Sequence, residues 1–594
     1  MPKKWQDKFL YSCGGDDGGN GFMCGILGGN NTGWDYGAGI AHMQHRGPDG
    51  IRIVERPGFT LAFARLAIMD LSENGMQPMF SEDGRVGIVY NGEIYGYQGL
   101  KAELEKMRFR FRSESDTEVI LNAYLAWGDR FIDRIDGMFA LAIYDFRDET
   151  IKLYRDRAGI KPLYYYCLES DFAFASEMKG IIHLCTDMKL QKDDTAIYDY
   201  LNYSYIPEPK TVYKNIFKLE PAHRLVYSLR KKKISVREAY WKLRVSGAEG
   251  KRKKADELVE ELRNLIRMSV RRHMTADVPV GTFLSGGIDS SIVTYESSLQ
   301  NPKIETFSMG FADRRYDELR YAQSLVDKYG LTMNQRVFQR KDCTMLVGKI
   351  REWYDEPFAD VSAFPTYLVS SLAKEKVDVV LTGDGGDEVF GGYPRYTMLQ
   401  EREKNGIDNL LVSGIFQHLN RRRAFTGWET VFMDDLSCLL SSYGEPLSSG
   451  DRALRKKLGI PKDYDRFWHM RKYYVKDLPA ITRGQYLDFK TYLPGSVLTK
   501  VDRASMAVSL ETRVPLLDRE IIEFAFGLSQ EDRCPCGLLK GLLKKAYQEE
   551  LGRGIAYRKK QGFNMPTDYL GAGDTAREKL LRTVWRDIWR EEDM

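Results

Sequence analysis

No apolar run in the chain approaches the roughly 18 residues that a membrane-spanning helix needs, and the N-terminus lacks the apolar core of a signal peptide. These absences set the expectation of a soluble, cytoplasmic protein. No Gly-Lys-Ser or Gly-Lys-Thr occurs anywhere, which excludes the P-loop of common ATPases and kinases. Charge of one sign is scarce: 88 Lys and Arg stand against 84 Asp and Glu, for a net +4, so there is no general electrostatic case for nucleic acid or a membrane surface. The basic runs Lys231–Lys233, Lys251–Lys254 and Arg421–Arg423 read as solvated linkers or helix faces. Eight scattered cysteines in 594 residues are not a disulfide framework. Cys534-Pro-Cys536 has neither a second pair nor a nearby histidine and reads as structural.

What is present is organised around Gly281-Thr-Phe-Leu-Ser-Gly-Gly-Ile-Asp-Ser-Ser291. Val278 to Leu284 is short and apolar enough for a core strand, Ser285-Gly286-Gly287 is a turn that lets backbone approach a ligand, and Ser290-Ser291 opens a helix. Free N–H groups at such a helix start favour phosphate. The stretch resembles the S-G-G-x-D-S pyrophosphate loop of enzymes that split ATP between its α and β phosphates to form an acyl-adenylate.

Length alone suggests two to four domains. Residues 1–23 end in a glycine-rich tract with no packing pattern and read as a leader or a mis-assigned start. From Cys24 onward come His45-Arg-Gly-Pro-Asp49, Phe63 to Asp70, Val89-Tyr-Asn-Gly-Glu-Ile-Tyr95, Ser113-Glu-Ser-Asp-Thr-Glu118 and Asp136-Gly-Met-Phe-Ala140. Five motifs in that order resemble the class II glutamine amidotransferases over about 190 residues. The resemblance implies a domain over 24–232 of two stacked antiparallel sheets with flanking helices. Cys24 would be the nucleophile, its own α-amine (pKa about 7.7–8.0) the base, and Asn91 and Gly92 the oxyanion hole. Arg65 would hold the glutamine α-carboxylate, and Glu93 and Asp116 its α-ammonium. Because an amide nitrogen is no base, Cys24 must become N-terminal. Removal of a pro-segment would achieve that, as would translation from Met23; the purine-rich codons implied by Gly14–Gly21, which look like a bacterial ribosome-binding site, favour the latter.

A charged segment over about 230–254 reads as a linker, and Ala255 to Met274 as an amphipathic helix leading into a second domain over 250–594. Lys303–Phe311 and Val377–Leu381 read as further strands, the latter running into Thr382-Gly-Asp-Gly-Gly-Asp-Glu388. Strands alternating with helices imply a doubly wound parallel sheet with ligands at the carboxyl ends of its strands. That rule places Ser285–Ser290, Met309-Gly310 and Thr382–Glu388 on one edge. An acidic loop facing a phosphate loop makes sense with Mg²⁺ between them, held by Asp289 and Asp387. Residues 395–490 read as a helical insertion.

Asp488 to Met506, Leu510-Glu-Thr-Arg-Val-Pro-Leu-Leu-Asp518 and Tyr354-Asp-Glu-Pro-Phe-Ala-Asp360 resemble the glutamine-hydrolysing asparagine synthetases, so that the likeness runs from Cys24 to about Pro566. It implies that Leu284, Met309, Thr382 and Gly383 frame the adenosine, that Ser285, Gly286, Gly287, Asp289 and Ser290 hold the pyrophosphate, and that Lys500 neutralises charge on the departing group. Asp384 falls at the site of the intermediate, where many relatives carry the longer glutamate. The expected substrates are glutamine, aspartate and ATP with Mg²⁺, and a homodimer is left open. Amidation of another carboxylate and a non-catalytic binding protein on the same folds are the alternatives; intact Cys24, Asn91, Asp289 and Lys500 argue against the second.

Overall fold

The structure, a computed structural model, describes residues 7–10, 24–246, 254–404, 435–443, 451–563 and 565–570, with 580 and 584. The first half is two antiparallel sheets face to face. One runs in the order β1 (Asp7–Leu10), β3 (Gly50–Arg56), β4 (Phe59–Arg65), β2 (Gly25–Gly29), β10 (Asp171–Ala175), β9 (Tyr164–Leu168) and β11 (Ile216–Lys218). The other runs β13 (Lys233–Ala239), β12 (His223–Ser228), β8 (Thr150–Arg155), β7 (Gly137–Asp145), β6 (Val86–Ile94) and β5 (Met79–Phe80). Strand alternation sorts the side chains. Ile26, Phe63, Val89, Ala142 and Phe174 meet in the core between the sheets, while Val86, Ile88 and Tyr90 point the other way onto the outer helices.

Helix α1 (Asp116–Trp127) covers that outer face. Ser115 caps it by accepting from the Thr117 amide (3.2 Å), two acids occupy its first turn, and Gly128 at φ +57° ends it.

Two expectations change here. Residues 1–22 carry no evident packing pattern, yet Asp7–Leu10 pairs with β3 as an edge strand, Asp7 opposite Val54. The rest of that leader lies outside the described residues. The segment expected as a linker over 230–254 begins with β13, in which Ile234 and Val236 recur every second residue between polar or charged neighbours. Polar and charged residues on the outward positions hid the strand; the basic run over 251–253 lies outside the described residues.

The second half is a five-stranded, all-parallel sheet in the order β16 (Thr332–Phe338), β15 (Glu305–Phe311), β14 (Val280–Phe283), β17 (Val379–Leu381) and β18 (Glu511–Arg513). Helix α2 (Ala255–His273) leads into it, burying Leu258, Leu262, Ile266 and Val270 on one stripe. Helix α3 (Ile288–Gln300) follows β14, starting two residues before the sequence suggests. Met309-Gly310 lies inside β15 rather than in a loop, because β16 pairs with all seven of its residues. Among its described residues the insertion has no strand and carries helices at Pro394–Lys404, Asp435–Ser442, Asp451–Lys457, Trp468–Arg471 and Ala480–Lys490, joined by irregular segments; residues 405–434, with Arg421–Arg423, lie outside. Helix α4 (Thr499–Met506) carries Lys500, Asp502 and Arg503 into the junction between the halves. Among the described residues no helix is long and apolar enough to cross a membrane.

Candidate functional site

Cys24 precedes β2, which places its thiol at one end of the sandwich. It lines a small cavity together with Asn91, Gly92, Glu93 and Asp116. Four residues scattered over the sequence motifs thus converge on the thiol. The Leu66 amide donates to Cys24 Sγ (3.4 Å), and burial pushes the thiol up to about 12, the Leu66 hydrogen bond opposing only in part. Such a thiol needs a dedicated base to react at neutral pH.

Asn91 and Gly92 sit inside β6, not in a hairpin turn. Asn91 is fully buried, and among the described residues neither its Nδ2 nor its Oδ1 has a hydrogen-bond partner. A buried unpaired amide is costly, and one facing a nucleophile is the arrangement expected of a donor awaiting an oxyanion. Gly92 has φ +151°, and a Cβ there would lie 2.0 Å from the Met138 carbonyl oxygen, so no other residue fits. Arg65, at the end of β4, donates from Nη2 to the Asp70 carbonyl (2.6 Å) and comes so close to Gly75, which lines the cavity, that a Cβ there would be 2.7 Å away.

Asp116 accepts from the Tyr90 hydroxyl (2.8 Å) and the Ile94 amide (3.0 Å), yet burial dominates and raises its carboxyl to about 6. Burial also pushes Glu93 up, against the pull of Arg513, 3.3 Å away. Glu118 serves the loop instead of the ligand. It accepts from the Ser113 amide (2.8 Å) and hydroxyl (2.6 Å), pinning the segment that presents Asp116.

The second cluster lies at the carboxyl edge of the parallel sheet. Ser285 and Ser290 hydroxyls meet at 3.0 Å, the Gly287 amide donates to Ser285 Oγ (3.3 Å), and α3 begins just after Gly287, which precedes it without a side-chain cap. Gly286 has φ +75°. Gly383 packs on this helix start so tightly that a Cβ would lie 2.5 Å from the Ser290 nitrogen, which brings the two expected loops together. Leu284 and Met309 are buried beside them; the Ser308 hydroxyl ties the Leu284 carbonyl at 2.6 Å. The Thr382 side chain receives the Asp384 amide (3.4 Å), and among the described residues the half-buried Asp384 carboxylate makes no hydrogen bond or ion pair.

Asp289 and Asp387 converge on one cation, the Lys540 ammonium, which pairs with Asp289 Oδ2 and lies 2.5 Å from Asp387 Oδ1; Lys560 adds a contact to Asp387 at 2.7 Å. Burial opposes charge on Asp387, but the two lysines outweigh it and hold its carboxyl below the ordinary range. Among the described residues Asp289 Oδ1 is buried without a hydrogen bond. The two carboxylates are hard oxygen donors of the kind that could hold a divalent ion such as Mg²⁺, but the point they share is taken by the Lys540 ammonium, and among the described residues no group of three or more His, Cys, Asp or Glu could hold a metal ion. Lys540 and Lys560 carry no sequence signature and are recognised only once the chain folds back. Lys500 is buried on α4, and among the described residues its ammonium has no partner. Cys534 is buried against the Phe390 carbonyl and Cys536 is exposed, in keeping with a structural role.

Comparison with known proteins agrees with this division. The asparagine synthase family matches residues 261–587, and the glutamine amidotransferase domain matches residues 23–241. The chain is 34% identical over 544 residues to asparagine synthetase [glutamine-hydrolyzing] 1 of Bacillus subtilis, covering 88% of this chain and 82% of that protein. It is 41% identical over 372 residues to a putative asparagine synthetase [glutamine-hydrolyzing] 2 of Methanocaldococcus jannaschii, covering 59% and 71%. A putative asparagine synthetase of Mycobacterium tuberculosis is 29% identical over 586 residues, 93% of this chain and 89% of its own. With a synthase region covering more than half of its length behind an amidotransferase domain, the chain belongs to the asparagine synthetase family of ATP-dependent, glutamine-hydrolysing ligases.

Proposed function

We propose that the protein makes asparagine from aspartate, glutamine and ATP through β-aspartyl-AMP, releasing AMP and pyrophosphate. The observation that carries this reading is the pairing of a nucleophile cavity, in which Cys24 faces Asn91, with a phosphate-type loop on which Gly383 of the Thr382–Glu388 segment packs.

In the first site the Cys24 thiolate attacks the glutamine carboxamide carbon. Asn91 Nδ2 and the Gly92 N–H receive the oxyanion, and ammonia leaves with a proton returned by the α-amine. Arg65 takes the α-carboxylate, and Glu93 and Asp116 bear on the ammonium. The α-amine of Cys24 acts only when free, so the active protein is expected to begin at Cys24; intact-mass measurement that found Met1 on fully glutamine-active protein would refute this assignment.

In the second site Leu284, Met309, Thr382 and Gly383 frame the adenosine, and Ser285, Gly286, Gly287, Asp289 and Ser290 hold the phosphates at the start of α3. Mg²⁺ held by Asp289 and Asp387 would supply charge neutralisation between the phosphates. Lys500 faces the departing pyrophosphate, and Asp384 borders the carbonyl at which ammonia displaces AMP. Ammonia released at Cys24 would reach the second site through an internal passage between the halves.

Aspartate is the acceptor that the family favours. A screen of carboxylates for pyrophosphate release with ATP, Mg²⁺ and glutamine tests it: stimulation by aspartate is expected, and stimulation by a different carboxylate alone would replace it.

A further inference from the structure

The glutamine cavity is not built by the first half alone. Glu511, on the edge strand β18 of the parallel sheet, lines the same cavity as Cys24 and Asn91, although it belongs to the far half of the chain. Its Oε1 accepts from Arg513 Nε at 2.6 Å. Arg513 is itself fully buried and fixed, donating from Nη1 to the carbonyls of His273 (2.8 Å) and Thr275 (2.7 Å). Glu511 Oε2 receives no hydrogen bond among the described residues.

Each of the two carboxylates matched to the ammonium by resemblance has one oxygen committed elsewhere, which leaves the ammonium room for a third acceptor. Glu93 Oε1 faces Arg513, and Asp116 Oδ2 takes both the Tyr90 hydroxyl and the Ile94 amide. An ammonium offers three donors and needs acceptor oxygens with open lone pairs. Glu511 offers a further one, Oε2, on a carboxylate oriented by a rigid guanidinium and lining the same cavity as Asn91.

Resting on the reading of this cavity as the glutamine site, we propose that Glu511 is a further glutamine-binding residue, lent by the synthetase half, that accepts a hydrogen bond from the substrate α-ammonium. Arg513 positions it. The pocket is then complete only with β18 seated, and the Arg513 carbonyl also holds the Thr382 amide (2.8 Å), so the strand that finishes the glutamine site borders the nucleotide loop.

The test compares glutamine with its desamino analogue, glutaramate, in the full chain. Glu511→Gln should raise KM for glutamine hydrolysis about 10- to 100-fold, the worth of a hydrogen bond between charged groups. For glutaramate, which has no ammonium, KM should stay within about twofold of the parent. Glu511→Asp, which keeps the charge but withdraws it by one methylene, should fall between the two, and serves also if Glu511→Gln does not fold. An unchanged KM for glutamine, or an equal rise for both substrates, would overturn the proposal. Glutamine hydrolysis surviving in Cys24→Ala would instead overturn the reading of the cavity itself.

Discussion

Arg46 grips Asp502 across the junction of the two halves, its Nη1 and Nη2 donating to the two carboxylate oxygens at 2.9 and 3.0 Å. Its Nε donates to the Cys24 carbonyl at 3.4 Å. Asp502 lies two residues from Lys500 on α4, so one buried guanidinium touches the nucleophile's own residue and the helix of the second site.

Removal of Asp502 leaves a buried guanidinium with only one of its two carboxylates. Asp502→Ala should cost about 3–5 kcal/mol, because Arg46 keeps Glu177 (2.8 Å) but loses its bidentate partner in a fully buried site. Urea unfolding followed at both halves measures it. A change below about 0.5 kcal/mol, the scale of an exposed pair, would mean that the junction is solvated.

The glutaminase should weaken in acid. Burial raises the Asp116 carboxyl to about 6, against an unfolded value near 3.9. Between roughly pH 4 and 6 the folded chain therefore holds a proton that the unfolded chain has released, and Asp116 costs stability as pH rises through that window. The glutamine ammonium favours the ionised form, so kcat/KM for glutamine should fall as pH drops below about 6. Asp116→Asn should remove that inflection from the pH profile; an inflection that survives belongs to another group.

Lys500→Ala should reduce pyrophosphate release by about 10²–10³, the usual cost of a lost donor at a developing charge, and spare glutamine hydrolysis. Direct assay of both products separates the sites. Loss of glutamine hydrolysis with adenylation intact would contradict the assignment of Lys500.

Much of this was legible in the chain itself. Cys24, Asn91, Gly92 and Asp116 stand in motifs whose order is preserved, and the run from Val278 to Ser291 announces a strand, a turn and a helix by composition alone. What remained hidden depends on the chain folding back. Glu511 and Arg513 sit in a motif that reads as part of the second half, yet parallel pairing of β18 with β17 carries their side chains to the first site. Lys540 and Lys560 have no local signature, since a lysine's partner is set by tertiary distance. Strand β13 escaped notice because its outward positions, Lys233, Ser235 and Arg237, are polar or charged and only Ile234 and Val236 mark the inward face.

The most direct measurement is asparagine formation by Cys24→Ala with glutamine and, separately, with ammonia as the nitrogen source. With glutamine the rate should fall to background, since the nucleophile of the first site is gone; with ammonia it should stay within about twofold of the parent. Loss of both activities, or glutamine-dependent synthesis that persists, would contradict a chain that makes ammonia at Cys24 and uses it beside Lys500.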